Sequence, residues 1–449
     1  MNIREIYLYH PEAFESSYAL FDLLPSLSHD EAFPAALYAI CFENDLFPDL
    51  KSTRKYDDRG RPLKGGQLAY KALGVPSSIY REFLEALDFR EEEQLQKARK
   101  KFKPKKVAEE KRYQDYLLEP FMDGYALKKY LGNGEGEVSL PESVDDLPLL
   151  AILPHAFEFK RCQRIVLPSS VKYILKEGFA NCYCRNVYCQ EGLLYIGKLA
   201  FHRSAVESLH LPGSLRVIDD SAFFQCEHLK DVVLPESLLF LGPNAFAFSA
   251  VEKIRVPKEI RSLVGTFTRC PNLAEVVLPD GLTLIGDNCF QENKSLKRIN
   301  APSNLEEIGD FAFQGCMYLK YFSFPLGLRV IGESAFRYFE SPTLDLPMSL
   351  REIRAGAFEH AYVKSVELPE GLEILGPRAF AECTWLHFVR LPSSLKALDH
   401  SSLAAESYYR IEYKGTKAEW KKVEKTNLLK GPKFFYAIYC LDGETSFEG

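Results

Sequence analysis

Apolar residues in this chain recur in one fixed phrase. Two of them, separated by a single residue, stand just before a proline: Val232/Leu234, Ile254/Val256, Leu344/Leu346 and Val389/Leu391. That alternation predicts a short strand with one face turned inward. Proline has no amide hydrogen, so it ends the hydrogen-bond ladder and fixes where each strand stops. A second apolar pair follows, such as Val217/Ile218 or Val330/Ile331, often with glycine behind it (Gly197, Gly242, Gly286, Gly309, Gly332, Gly376). Glycine at that point predicts a turn needing unusual backbone angles. An Ala-Phe pair comes next, and its Phe is predicted to head a short helical or 3₁₀ turn that plugs the gap between coils.

Two rulers give the period. The prolines at 168, 212, 235, 257, 279, 302, 325, 347, 369 and 392, with Gln190 and Lys414 completing the series, are separated by 22 or 23 residues. The Phe residues at 157, 179, 201, 223, 246, 267, 290, 313, 336, 358 and 380, closed by Leu403, keep the same spacing. The extra residue falls in the outer loop, where a Cys-x-x-Leu form lengthens the distance from Phe to proline. Such a period, with a strand and a turn in each unit, predicts a leucine-rich-repeat solenoid. Stacked coils are predicted to line the Phe side chains into an internal ladder. The expected fold class is therefore an α+β repeat: a helical N-terminal domain (1–125), a solenoid of about twelve coils (126–414) and a small C-terminal cap (415–449).

The full phrase, L-P-x-x-L-x-x-I-G-x-x-A-F-x-x-C-x-x-L, resembles the BspA-type leucine-rich repeat, also called the treponemal type, of bacterial surface antigens. Leu234-Pro235, Leu278-Pro279, Ala312-Phe313-Gln314-Gly315-Cys316 and Ala379-Phe380-Ala381-Glu382-Cys383 carry the match, which spans about residues 136–445. Tyr413-Lys414-Gly415-Thr416 with Trp420, then Tyr439-Cys440-Leu441-Asp442-Gly443, resembles the cap that often closes such arrays. The resemblance implies a non-enzymatic protein-interaction module. For exported members it implies an adhesin-like role. This chain departs from ordinary leucine-rich repeats in lacking an Asn ladder, and its first residues are expected to carry no export signal of the kind many surface members have.

Composition narrows the setting. The 56 basic and 62 acidic residues leave a net charge of −6, which gives no strong field toward nucleic acid or membrane. No run of 18 apolar residues is present, so no membrane-spanning helix is expected. The start, MNIREIYLYHPEAFESS, carries acids where a signal peptide needs a basic start and an apolar stretch. The expected location is cytoplasmic, with the cell surface or secretion, by a non-standard route, as the alternative.

Of the 11 cysteines, Cys182, Cys226, Cys270, Cys316 and Cys383 each lie three residues after a repeat Phe. They read as small buried side chains rather than a disulfide framework. Cys182, Cys184 and Cys189 have a C-x-C-x₄-C spacing without a clear fourth zinc ligand.

The first 125 residues have another grammar. Helical periodicity is present at 12–24, 30–44 and 77–87, followed by a charged stretch to Leu118. Residues 67–84 resemble a helix-turn-helix, in which Ser77, Ser78, Tyr80 and Arg81 would face a groove of DNA, and an intracellular regulator using this segment is an alternative function. The run KARKKFKPKK (97–106) could contact phosphates. Set against this, residues 1–135 hold 21 basic and 23 acidic residues, and a charge run is more often a wet face. Capping the first coil is the simpler role for this segment, and residues 124–138 read as a lead-in strand.

No nucleophile elbow, phosphate loop, zinc-protease helix or kinase signature occurs, and the nine histidines are scattered. Neither an enzyme nor a cofactor is expected. The free outward position of each strand reads Val166, Tyr188, His210, Val233, Arg255, Val277, Asn300, Ser323, Asp345, Glu367, Arg390 and Glu412. The first half is apolar and aromatic, which suits an interface core. Tyr188, His210, Val233 and Arg255 are therefore the candidate protein-binding residues, and the last four read as a solvated charged face.

Overall fold

The computed structural model describes residues 110–133, 136–404, 410–426 and 437–446. The predicted helices of the N-terminal domain, the helix-turn-helix-like segment with Ser77, Ser78, Tyr80 and Arg81, and the basic run at 97–106 lie outside these residues. The chain divides into two compact units at Thr266/Phe267. Each is a β-solenoid built from two parallel ladders.

In the first unit, one ladder joins Glu137–Ser139, Arg164–Leu167, Asn186–Cys189, Ser208–His210 and Asp231–Val232. Each strand pairs with the one a repeat away, as in Val166 opposite Tyr188 and Tyr188 opposite His210. The second ladder runs through Leu147–Ile152, Tyr173–Ile174, Tyr195–Ile196, Val217–Ile218 and Phe240–Leu241. Its open edge is covered by an antiparallel meander of β1 (Lys111–Tyr113), β2 (Tyr116–Phe121) and β3 (Gly124–Tyr130), of which β3 lies parallel to Leu147–Ile152. Residues 111–113 and 116–121, assigned by sequence to the helical domain, are thus strands. Tyr116 and Leu118 alternate inward there, which is a strand pattern hidden in charged surroundings.

The second unit repeats the plan. One ladder contains Leu284–Ile285, Glu307–Ile308, Val330–Ile331, Glu352–Ile353, Ile374–Leu375, Ala397–Asp399 and Glu424–Thr426. The other runs from Thr343–Leu344 through Ser365–Glu367, Phe388–Leu391 and Arg410–Tyr413 to Ala437–Cys440, which turns back into Gly443–Ser446. Beyond Tyr413, the helix Lys417–Trp420 opens with a capping box between Thr416 and Glu419. Trp420 is fully buried, packs 5.1 Å from Tyr413 and donates its indole N–H to the Ser446 carbonyl at 3.2 Å.

Phe side chains form the core of both units. In the first, Phe157, Phe179, Phe201, Phe223 and Phe246 stack with ring centres 4.7, 4.8, 5.1 and 4.9 Å apart. In the second, Phe267, Phe290, Phe313, Phe336, Phe358 and Phe380 stack at 5.7, 5.3, 5.1, 5.5 and 5.1 Å. Every one of these rings is buried. The lengthened loops add a further tie. The thiols of Cys226, Cys316 and Cys383 donate to the Phe201, Phe290 and Phe358 carbonyls of earlier coils at 3.1, 3.0 and 3.1 Å.

The expected helical turn at Phe is corrected. Among the described residues, regular helix is confined to Lys417–Trp420 and the 3₁₀ turn His400–Leu403, so the fold is a β-solenoid and not an α+β repeat. At each Phe the backbone instead alternates. Residues two before and two after have positive φ, for example Glu177 (59°) and Asn181 (55°), Asn288 (57°) and Glu292 (58°), or Arg378 (56°) and Glu382 (58°). This alternation aims every second amide at the adjacent coil: Phe179 N donates to Ala200 O at 2.7 Å, while Ala180 N closes on Glu177 O at 3.1 Å within its own coil. A helix would spend all its amides on itself and leave the coils unjoined.

The glycine expectation is corrected too. Gly197, Gly242, Gly309, Gly332 and Gly376 are absent from the positive-φ residues. They answer a close approach: a Cβ on Gly242 would lie 2.5 Å from the Asp219 carbonyl carbon, and one on Gly332 2.4 Å from that of Gly309. In two coils without glycine at this slot, a buried aspartate stands there instead. Asp219 accepts from the Tyr195 hydroxyl at 2.7 Å, and Asp399 from Thr426 at 2.7 Å.

The reading of the cysteines also changes. Cys162 and Cys184 form a disulfide, with Cα atoms 4.7 Å apart. Both lie five residues after a repeat Phe, so stacking by one coil brings them into bonding range. Cys184 thereby leaves the C-x-C-x₄-C cluster. Burial pushes the thiols of Cys182, Cys189, Cys226 and Cys383 up to about 12, so these remain protonated and inert.

Three outcomes follow from this architecture. Phe290→Ala lowers the unfolding free energy by about 3–5 kcal/mol, measured by denaturant titration. Glu382→Gly leaves the melting midpoint unchanged or raised, whereas Glu382→Val lowers stability by about 1–2 kcal/mol, because a β-branched residue resists positive φ. Replacing Cys162 and Cys184 together by alanine removes about 3 kcal/mol, and a non-reducing peptide map of the unaltered chain shows the two segments linked.

Candidate interaction surface

The strand alternation sends the predicted residues outward. Val166, Tyr188 and His210 occupy one register line, and Val233 follows directly on Asp231–Val232 of the same ladder. Tyr188 is 36% exposed and Val233 81% exposed. The His210 ring stacks on Tyr188 with centres 4.5 Å apart and planes 6° from parallel. Arg164 places its guanidinium over the Tyr188 ring, 5.4 Å from its centre. Arg255, exposed at the end of Lys253–Arg255, stands on the following coil. That coil joins the ladder's last through Glu252 N to Lys230 O at 3.2 Å, outside the strand pairing. The structure therefore assembles Tyr188, His210 and Val233 on one sheet face and sets Arg255 beyond it.

A second outward column runs two residues earlier on each strand: Arg164, Asn186, Ser208, Asp231 and Lys253. The sequence reading took only the residue before the inward Leu and so missed it, although strict alternation marks both positions. Arg164 gives this column its importance, since a cation over an aromatic face strengthens a rigid anchor. Beside the face, on the side of the Cys162–Cys184 bridge, lies a polar groove of about 690 Å³. Arg161, Tyr183, Arg185, Glu207 and His228 line it, and Arg161 covers the Tyr183 ring at 5.4 Å.

In the second unit the outward column behaves differently. Asn300 holds both the amide and the carbonyl of Leu278, at 2.7 and 2.8 Å, and so serves the backbone. Three of the positions read as a solvated face, Glu367, Arg390 and Glu412, form an ion lattice with Lys414. Arg390 bridges Glu367 at 3.1 Å and Glu412 at 2.9 Å, and Lys414 reaches Glu367 at 2.8 Å. The Lys414 hydrogen bond chiefly holds the Glu367 carboxyl below its ordinary range. Exposed pairs of this kind add little stability, but they neutralise one another as binding groups.

Among the described residues, several histidines make structural contacts. His155 lies between Glu158 and Glu177 at 3.6 and 3.1 Å, and His360 stacks on Tyr338 at 5.1 Å. Burial lowers the His202 pKa. Among the described residues, no three His, Cys, Asp or Glu groups converge in a way that could hold a metal ion, and no helix is long and apolar enough to cross a membrane.

Comparison with known proteins places this geometry. The model of the BspA type leucine rich repeat region, a six-copy repeat, matches residues 151–264, 264–384 and 311–420. Three solved structures are similar. A leucine rich cell surface protein from Faecalibacterium prausnitzii A2-165 is 19% identical over 71% of this chain and 98% of its own, with a TM-score of 0.37. The pneumococcal vaccine antigen PcpA is 19% identical over 72% of this chain and 98% of its own, with a TM-score of 0.49. The leucine rich repeat protein of T. pallidum is 30% identical over 47% of this chain and 91% of its own, with a TM-score of 0.36. No curated protein matches the sequence. Because the repeat model covers well over half of the residues, and the observed coils carry its strand, proline and Phe positions in register, the chain belongs to the BspA-type leucine-rich-repeat family.

Proposed function

We propose that this chain is a non-enzymatic protein-interaction module that works in an oxidising compartment, at the cell surface or secreted. Its partner docks on the strand face built around Tyr188, His210, Val233 and Arg255. The observation that carries the reading is the Arg164–Tyr188–His210 stack on a parallel ladder. Aromatic and Arg side chains held rigid before contact lose little entropy on binding, and such groups dominate the energy of protein interfaces.

The compartment is argued from the Cys162–Cys184 bridge. Disulfides persist outside the reducing cytosol, so the bridge supports the surface alternative over the cytoplasmic expectation. Membership of a repeat family that presents an extended surface supports the same reading.

Two measurements test it. Partners captured by the full chain and identified by mass spectrometry should bind a Tyr188→Ala/His210→Ala variant about thirtyfold more weakly, equivalent to about 2 kcal/mol, with Arg255→Ala adding a smaller loss. Unchanged affinity removes this face from the function. Protease added to intact cells should degrade the chain while sparing a cytoplasmic marker; a protected chain would place it inside.

A further inference from the structure

The outer ladder of the second unit has a gap. Glu275–Val277 pairs with Arg298–Ile299, and the next strand is Thr343–Leu344. Between them, Tyr321–Phe324 fills the strand slot without being a strand. Among the described residues, the amides and carbonyls of Tyr321, Phe322, Ser323 and Phe324 make no hydrogen bond to a neighbouring coil.

The cause lies in the core. Where other coils put Val, Ile or Leu at the first inward position, this one has Phe322, and Phe324 follows at the second. These rings crowd Phe336 at 5.6 and 5.2 Å, and Phe339 presses on it at 5.2 Å. Phe322 and Phe324, pressed by Phe339 from another coil, overfill the interior here, and the strand slot is left unpaired.

A groove of about 520 Å³ lies at this opening. Tyr321, Leu326 and Met348 line it and are 67%, 86% and 61% exposed, an apolar rim that solvent does not favour. Asp345 is an exposed lining residue that makes no ion pair among the described residues. Glu367, also in the lining, is already matched by Arg390 and Lys414. The site thus offers unpaired backbone, an apolar cradle and one unmatched carboxylate.

We infer that this groove binds an extended segment of a partner polypeptide that carries an apolar side chain close to a lysine or arginine. The apolar side chain lies among Tyr321, Leu326 and Met348. The cation meets Asp345, and the main chain of the segment pairs with the open slot at 321–324. The inference rests on the reading of the chain as an interaction module, but it names a different surface from the Tyr188 face.

The test uses phage-displayed random nonapeptides selected on the immobilised full chain. Enriched peptides should share an apolar residue and a nearby Lys or Arg. They should bind Asp345→Lys and Tyr321→Ser variants about tenfold more weakly, and lose affinity when their own amides are N-methylated. Both substitutions are at exposed positions, and equal melting midpoints will show that the variants are folded. Enrichment without a basic residue, peptides indifferent to Asp345→Lys, or no enrichment at all overturns the site. Peptides that respond to Tyr188→Ala instead also overturn it, while leaving the interaction reading in place.

Discussion

Everything in this molecule depends on each coil satisfying the backbone of the next. A helix keeps its hydrogen bonds within one segment, whereas these coils hand every second amide of the Phe turn to a carbonyl one repeat away, as Phe179 does to Ala200. That obligation fixes the repeat length. It forces left-handed backbone on residues as unsuited to it as Glu177, Arg378 and Glu382. It demands glycine where backbones nearly touch, at Gly242 and Gly332. Stacked Phe rings follow from the same registration, because equal coils place equal side chains over one another.

The parts of this plan that concern burial were legible in the chain. Phe and the inward strand pairs must be apolar, and proline must sit where a ladder stops, so their spacing reports the coils directly. Backbone geometry was not legible, because the left-handed positions carry Leu199, Phe311 and Arg269 as readily as Asn288. The glycine of the phrase was read as a torsional device when its role is clearance. Cys162 and Cys184 carried a usable signal, an identical offset from Phe157 and Phe179. It was masked by five other cysteines that repeat at a different offset for packing reasons.

The interaction surface divides the same way. Alternation alone exposed Tyr188, His210 and Val233, but their stacking, and Arg164 over them, needed the register of neighbouring strands. Charged positions near the end of the array looked free in one dimension and are bound to each other in three, through Arg390. Conversely, Tyr321–Phe324 has the inward-outward pattern of any strand in the series. Only the volume of its Phe residues, summed with Phe339 from another coil, keeps it out of the ladder.

The bridge between Cys162 and Cys184 has a mechanical meaning. Coils joined by a few hydrogen bonds each can be peeled one at a time when the chain is pulled from an end. Peeling that reaches this pair meets a covalent stop, and the 22-residue separation it spans stays closed. Roughly 75 Å of contour is thereby withheld from extension. The pull passes through the bridge to Cys184, so the coil between the two cysteines keeps its length while the chain on either side yields.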